Sequence, residues 1–111
     1  MRKLPLFPAE SPEPVQTLLE LAAQPQAALR AGSVRLVPNQ RVPAEGTSAH
    51  GADELSLIVS GSLSGVSGDE RFTVVSGDVT LIPAGERHWA VAGPEGAEIF
   101  WCWFGELDEQ G

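Results

Sequence analysis

The chain has 111 residues, enough for one domain with an ordinary hydrophobic core. Its seven Lys and Arg residues against fifteen Asp and Glu residues give a net charge of -8 at pH 7, which repels nucleic-acid phosphates and anionic lipids. We therefore expect neither a nucleic-acid nor a membrane partner. No apolar run reaches the length of a membrane span, the start MRKLPLFPAE lacks the apolar centre of a signal peptide, and the single Cys102 excludes an internal disulfide. These features predict a cytoplasmic protein.

The N-terminal part, residues 1–32, is expected to form an arm with a short helix. Residues 1–14 contain four prolines and no periodicity, which predicts an extended segment. Residues 11–23 carry apolar side chains on one helical face, which favours a short amphipathic helix. The alternative is that residues 15–21 form an edge strand, and the sequence leaves both open.

From residue 33 onward the pattern becomes that of an all-β domain, which we expect to end at residue 104. Short apolar segments are separated by Gly, Pro, Asn or Asp about every ten residues, as in a sandwich or barrel. The predicted strands are residues 33–37, 55–60, 62–66, 71–75, 79–82, 88–92 and 97–104. Ser67, Gly68 and Asp69 form a hairpin turn signal. Residues 105–111, GELDEQG, are predicted to be a solvated acidic tail.

Two stretches resemble the two sequence motifs of the cupin family. In residues 45–61, EGTSAHGADELSLIVSG, the first motif is matched by His50, Glu54 and Gly61, and Ser48 stands where its first histidine belongs. In residues 77–88, GDVTLIPAGERH, the second motif is matched by Gly77, Pro83, Gly85 and His88. The resemblance covers roughly residues 33–104. It implies a cupin double-stranded β-helix, a jelly-roll barrel like that of small single-domain bacterial proteins of the RmlC-like cupin superfamily.

The resemblance implies a divalent transition metal held by His50, Glu54 and His88, with iron, manganese, nickel, zinc and copper all open. Such a site would leave coordination positions for water, substrate or dioxygen, as a dioxygenase, isomerase or lyase acting on a small organic molecule needs. Ser48 would be a weak ligand or would orient water or substrate. The alternative is a non-catalytic small-molecule-binding or sensory module without metal. We leave open whether the protein is an enzyme, and we assign no catalytic residue.

Strand alternation predicts which neighbours of the motif residues face the pocket. With Glu54 and His88 inward, Trp89 is expected to point outward as a packing residue. The last strand, AEIFWCWF, is apolar on both faces, with Ile99, Trp101 and Trp103 on one and Phe100, Cys102 and Phe104 on the other. Which row lines the pocket is left open, and Cys102 is expected to be a buried small hydrophobe. The expected pocket residues are Ser48, Ser56, Ile58, Ala90, Ala92, Trp101 and Trp103.

A homodimer is expected, partly from the resemblance. The physical reason is that a terminal strand with two apolar faces needs cover on both, and an exposed edge strand is protected by pairing.

Overall fold

The protein is an antiparallel β structure in a computed structural model, which describes residues 7, 14–24 and 27–105. The strands are β1 (Val15–Gln24), β2 (Ala27–Leu36), β3 (Arg41–Val42), β4 (Asp53–Ser67), β5 (Glu70–Val75), β6 (Val79–Ile82) and β7 (His88–Gly105). The described residues contain no helix, which confirms the prediction of an all-β fold. Consequently no segment among them has the helical length and hydropathy that crossing a bilayer requires.

The helix predicted over residues 11–23 is wrong, and the alternative of an edge strand is correct. Strand β1 pairs with β2 from Val15 opposite Val34 to Gln24 opposite Ala27. Backbone pairing with β2 satisfies every second amide and carbonyl of this segment, and this tertiary contact overrides a weak helical pattern. Strand β2 runs through residues 32 and 33, where we predicted the barrel to begin. Most of the proline-rich arm and of the acidic tail lies outside the described residues.

Two long strands, β4 and β7, bend at their centres and divide the fold into two facing walls. The first wall holds β1, β2, residues 97–105 of β7, residues 53–58 of β4 and β6. The second wall holds β3, residues 88–92 of β7, residues 62–67 of β4 and β5. We predicted each long strand as two separate strands, and the predicted breaks fall at these bends.

Glycines make the bends possible. Gly61 and Gly96 have φ angles of 77° each, a backbone region that favours glycine. A Cβ atom on Gly61 would overlap the backbone oxygen of Gly96, so the two bends touch because Gly61 lacks a side chain, and a Cβ atom on Gly96 would instead run into the Leu36 carbonyl of β2. The β4–β5 hairpin turns at Gly68 and Asp69, as predicted, with Gly68 at a φ of 58°.

The hydrophobic core fills the space between the walls at the bent end. Ile58 is only 1% exposed, and it packs with side chains from β2, β4 and β7. The buried cluster consists of Val34, Leu36, Ile58, Leu63, Ala90, Ala92, Ala97, Ile99 and Trp101. The opposite end of the barrel is therefore the end at which the walls leave room for a cavity.

Candidate functional site

Strand register arranges the inward-facing side chains in three layers between the walls, because partners on neighbouring strands share a face. The polar layer holds Arg30, Trp103, Glu54 and Ile82 on the first wall, and Ser48, His88, Ser67 and Glu70 on the second. The middle layer holds Gly32, Trp101, Ser56 and Thr80 opposite Val42, Ala90, Gly65 and Phe72. The deep layer holds Val34, Ile99 and Ile58 opposite Ala92, Leu63 and Val74.

A cavity of about 420 Å³ occupies the space between these layers. Of the pocket residues expected from the sequence, the structure places Ser48, Ser56, Ile58, Ala90, Trp101 and Trp103 in its lining. Ala92 lies elsewhere: it is 2% exposed and packs in the core of the deep layer, where the walls already touch. Small side chains of the middle layer help to create the space, since Ser56 and Ala90 line the cavity at positions that larger residues would fill.

The structure brings the three predicted metal ligands together in the polar layer. One ligand atom from each of His50, Glu54 and His88 lies within 4.8 Å of the other two. His50 Nε2 is 3.8 Å from Glu54 Oε1, and the two side chains are only 16% and 14% exposed. Ligands at about 2.0–2.2 Å from one ion lie at most about 4.4 Å apart. The cluster is therefore within a few tenths of an ångström of the spacing that an ion requires.

Backbone hydrogen bonds tie the two motif stretches together and set this geometry. Ser48 and His88 exchange two bonds, each 2.9 Å from N to O, and Gly85 N donates to His50 O at 2.8 Å. Asp53 Oδ1 accepts from Ala84 N at 2.8 Å, which anchors the turn before β7 to the start of β4. Gly85 has a φ of 82°, so a glycine suits this turn. His50 and His88 are thus positioned by main-chain contacts between segments far apart in sequence.

Neighbouring groups orient each ligand. Trp103 Nε1 donates to Glu54 Oε1 at 2.7 Å, and the His50 ring lies 4.2 Å from the Trp103 ring, centroid to centroid. The Glu86 carbonyl is 3.1 Å from His88 Nδ1 and can only accept, so Nδ1 carries the proton and Nε2 is left with a lone pair. This outer hydrogen bond to a carbonyl is typical of histidines that bind metals.

Electrostatics favour a neutral His50. Burial lowers the pKa of His50 below its usual 6.5, and nearby His88 lowers it further, while Glu54 acts in the opposite direction. A neutral imidazole is the form that binds a metal, so the site competes with protons less than an exposed histidine does. Two imidazoles and a carboxylate in a half-buried setting therefore fit a divalent first-row ion.

The strand register places Trp89, which pairs with Val66, on the face opposite to His88 and Ala90, and the residue also borders the cavity. Arg41 lies on that same outer face, because it pairs with Val91. The Trp89 ring packs under the Arg41 guanidinium, whose Cζ lies 4.8 Å from the ring centroid. All three tryptophans of the chain thus line the cavity.

The structure also answers which face of the last strand is inward. Ile99, Trp101 and Trp103 line the cavity, and Phe100, Cys102 and Phe104 lie on the opposite face. Burial raises the pKa of the Cys102 thiol, which keeps it protonated and a poor nucleophile.

Sequence reasoning missed Glu86 and the hydrogen-bonding role of Trp103. Glu86 lines the cavity through its side chain and orients His88 through its carbonyl. Glu86 precedes His88 by two residues, so strand alternation across the turn would have suggested that it shares the inward face. No sequence signal predicts the pairing of Trp103 with Glu54, because it depends on the register between β4 and β7.

Solved structures of similar shape share this architecture. A protein from Rhizobium leguminosarum bv. viciae has a TM-score of 0.73 at 22% identity, covering 96% of this chain and 98% of that one. A double-stranded β-helix protein from Klebsiella pneumoniae has a TM-score of 0.66 at 19% identity, covering 96% and 87%. A cupin superfamily protein from Desulfitobacterium hafniense has a TM-score of 0.58 at 22% identity, covering 96% and 100%. The fold is therefore the cupin double-stranded β-helix, as predicted.

Sequence comparison supplies the family. No curated protein matches the chain. The model of the AraC-like ligand binding domain matches residues 36–105, which include every residue of the His50, Glu54 and His88 cluster. Because this match spans more than half of the chain, the protein belongs to the AraC-like ligand binding domain family.

Proposed function

We propose that the protein binds a small organic molecule in the barrel cavity, next to a divalent transition-metal ion held by His50, Glu54 and His88. The observation that carries the proposal is the convergence of three ligand atoms within 4.8 Å at the polar end of a cavity of about 420 Å³. Cavities of roughly 300–1,000 Å³ are typical of small-molecule sites. Iron, manganese, nickel, zinc and copper all suit this donor set.

Each residue of the site has a role in this proposal. His50 and His88 provide neutral imidazoles, Glu54 provides the charge, and Trp103 holds the carboxylate through its N–H. Ser48, which lines the cavity beside His88, would orient a water or the ligand. A bound ion would supply Lewis-acid or redox chemistry for oxidation, isomerisation or lysis of the ligand. The apolar middle and deep layers would exclude bulk water from the reacting atoms.

Elemental analysis of protein purified without a metal-affinity tag tests the metal site. We expect close to one equivalent of a first-row metal, or full occupancy after zinc or manganese is added to protein treated with a chelator. Glu54→Gln should lose the metal, whereas Glu45→Gln, an exposed carboxylate with the same change of charge, should keep it. Less than about a tenth of an equivalent that added salts do not restore would contradict the proposal.

A second candidate function is ligand binding without metal, as in a sensory module. The match to a ligand binding domain supports it, and so does Glu54, which already has a hydrogen-bond partner in Trp103. Thermal unfolding of chelator-treated protein separates the two candidates. A metal-free protein whose melting temperature rises with acids, sugars or phenols, without turnover, would favour the sensory module.

We also propose that the protein forms a homodimer through the outer face of the first wall. Leu55 and Leu57 on β4 lie beside Leu81 and Val79 on β6, and Leu57 lies beside Phe100 on β7. Leu55, Leu57, Val59, Val79, Leu81 and Phe104 are between 37% and 62% exposed. A contiguous apolar patch on a chain of net charge -8 marks an interface rather than a solvated surface.

A second copy is the occupant that this patch fits, because an apolar patch can pair with itself about a two-fold axis. Light scattering after gel filtration should therefore give about twice the chain mass of 11.7 kDa. A monomer at micromolar concentration would contradict the dimer.

A further inference from the structure

We infer that the cavity is selective for organic cations: its ligand carries an ammonium-type head that pairs with Glu86 and an apolar body that packs on Phe72. This inference rests on the proposed ligand-binding function and adds the charge class of the ligand. It follows from the charges that line the cavity, the way Glu86 is held, and the aromatic rings beside it.

Among the residues that the structure describes, every charged side chain in the lining is acidic, namely Glu54, Glu70 and Glu86. None of the five arginines in the described part of the chain lines the cavity. A divalent ion on His50, Glu54 and His88 would balance two of the three carboxylates, so the lining would stay acidic even with metal bound. In the metal-free form a carboxylate ligand would meet this field without a basic group in the lining, whereas a cation would be stabilised by it.

The arginines are positioned elsewhere by contacts of their own. Arg35 pairs with Glu98 at 3.1 Å, and Arg87 donates to Thr47 Oγ1 at 3.2 Å. Arg41 donates to the Pro43 carbonyl at 2.9 Å, and the Arg30 guanidinium carbon lies 5.5 Å from the Trp103 ring centroid. Arg71 is exposed on β5. The five described arginines therefore lie outside the cavity lining, and Arg30, which shares the polar layer, lies against the Trp103 ring.

Glu86 is held in place by neighbours on the β4–β5 hairpin. Ser67 Oγ donates to Glu86 Oε2 at 2.6 Å, and the side chain is half-buried. A Cβ atom on Gly68 would lie 3.1 Å from Glu86 Oε1, so the glycine leaves room for the carboxylate. One hydrogen bond from Ser67 uses only one of about four acceptor positions on the carboxylate. An oriented, partly desolvated carboxylate is suited to an ammonium group.

The register of the second wall places an aromatic ring one layer below this carboxylate. Phe72 pairs with Gly65, one layer below Ser67, which holds the Glu86 carboxylate, and Phe72 lines the cavity. A cation near an aromatic face is attracted to the ring, more strongly where water is excluded. The carboxylate and the ring together define a site for a charged head with a compact apolar body.

Three probes of nearly equal size and different charge test the inference: benzylammonium, benzyl alcohol and benzoate. The intrinsic fluorescence of the protein reports occupancy, because all three tryptophans line the cavity and the chain has no tyrosine. Titrations are run on zinc-loaded and on chelator-treated protein, with calorimetry as a second readout. We expect benzylammonium to bind at least about tenfold more tightly than benzoate in the chelator-treated form. In the zinc-loaded form benzoate can also coordinate the ion, so that titration tests only whether benzylammonium still binds.

Matched variants then test whether the Glu86 carboxylate causes the preference for cations. Glu86→Gln should weaken benzylammonium binding about tenfold and leave benzyl alcohol binding unchanged within about twofold. Glu95→Gln makes the same change of charge at an exposed position and should alter neither. Melting temperatures of both variants check that they fold.

The outcomes separate this inference from the proposed function. Two results would overturn the selectivity for cations and leave ligand binding intact. One is benzoate binding to chelator-treated protein as tightly as benzylammonium, and the other is an equal effect of Glu86→Gln and Glu95→Gln on benzylammonium binding. If no probe binds either form, the cation inference is overturned, and the metal analysis still decides the metal site separately.

Discussion

Replacing Trp103 by Phe is the most informative single change at the metal site. The Trp103 N–H donates to Glu54 Oε1 at 2.7 Å, and the ring stacks on His50 at 4.2 Å. Phe keeps most of the aromatic packing and removes only the donor. Outer groups that orient a metal ligand typically contribute 10–100-fold to metal affinity. A hydrogen bond to a charged group, at about 1.5–3 kcal/mol, gives a similar range.

Competition with a coloured chelator measures the zinc affinity of each variant without using tryptophan fluorescence. Trp103→Phe should weaken zinc binding by at least about tenfold. Trp89→Phe is the matched control, because Trp89 lines the same cavity and neither donates to Glu54 nor stacks on His50. If the two variants bind zinc within about threefold of each other, the argument that Trp103 positions Glu54 is refuted.

Three further predictions concern stability and assembly. Because burial lowers the pKa of His50 below 6.5, the unfolded chain binds more protons than the folded one just below that pH, so stability should fall as the pH drops from about 7 to about 5. In chemical unfolding experiments, His50→Gln should lose less stability than the wild type between pH 7 and pH 5. A variant with the same dependence of stability on pH as the wild type would contradict this prediction. Gly32→Ala should lower the free energy of unfolding by at least about 2 kcal/mol, because the added Cβ would overlap the Gln16 carbonyl and lie 2.7 Å from Trp101 Cε2. A melting temperature equal to that of the wild type would refute this prediction. Leu57→Glu should convert the dimer to a monomer in light scattering, and a persistent dimer would place the interface elsewhere.

The N-terminal segment shows why a local sequence pattern gave a wrong prediction of secondary structure. The apolar residues between positions 15 and 22 suit one face of a helix, yet the segment pairs as β1 along the open edge of β2. A helix there would leave the amides and carbonyls of that edge unpaired. The sequence cannot show this edge, because it exists only after β2 has joined β7.

The sequence by itself determined the strand pattern, the turn glycines and the identity of the three ligand candidates. Alternating apolar residues and glycine-rich turns are local properties, and His50, Glu54 and His88 stand at motif positions that can be read without coordinates. Only the tertiary structure decided which face of the last strand is inward, that Trp103 holds Glu54, and that acidic groups alone carry charge in the cavity lining. These features depend on register between strands far apart in the chain, and register is set by how the two walls close around their core.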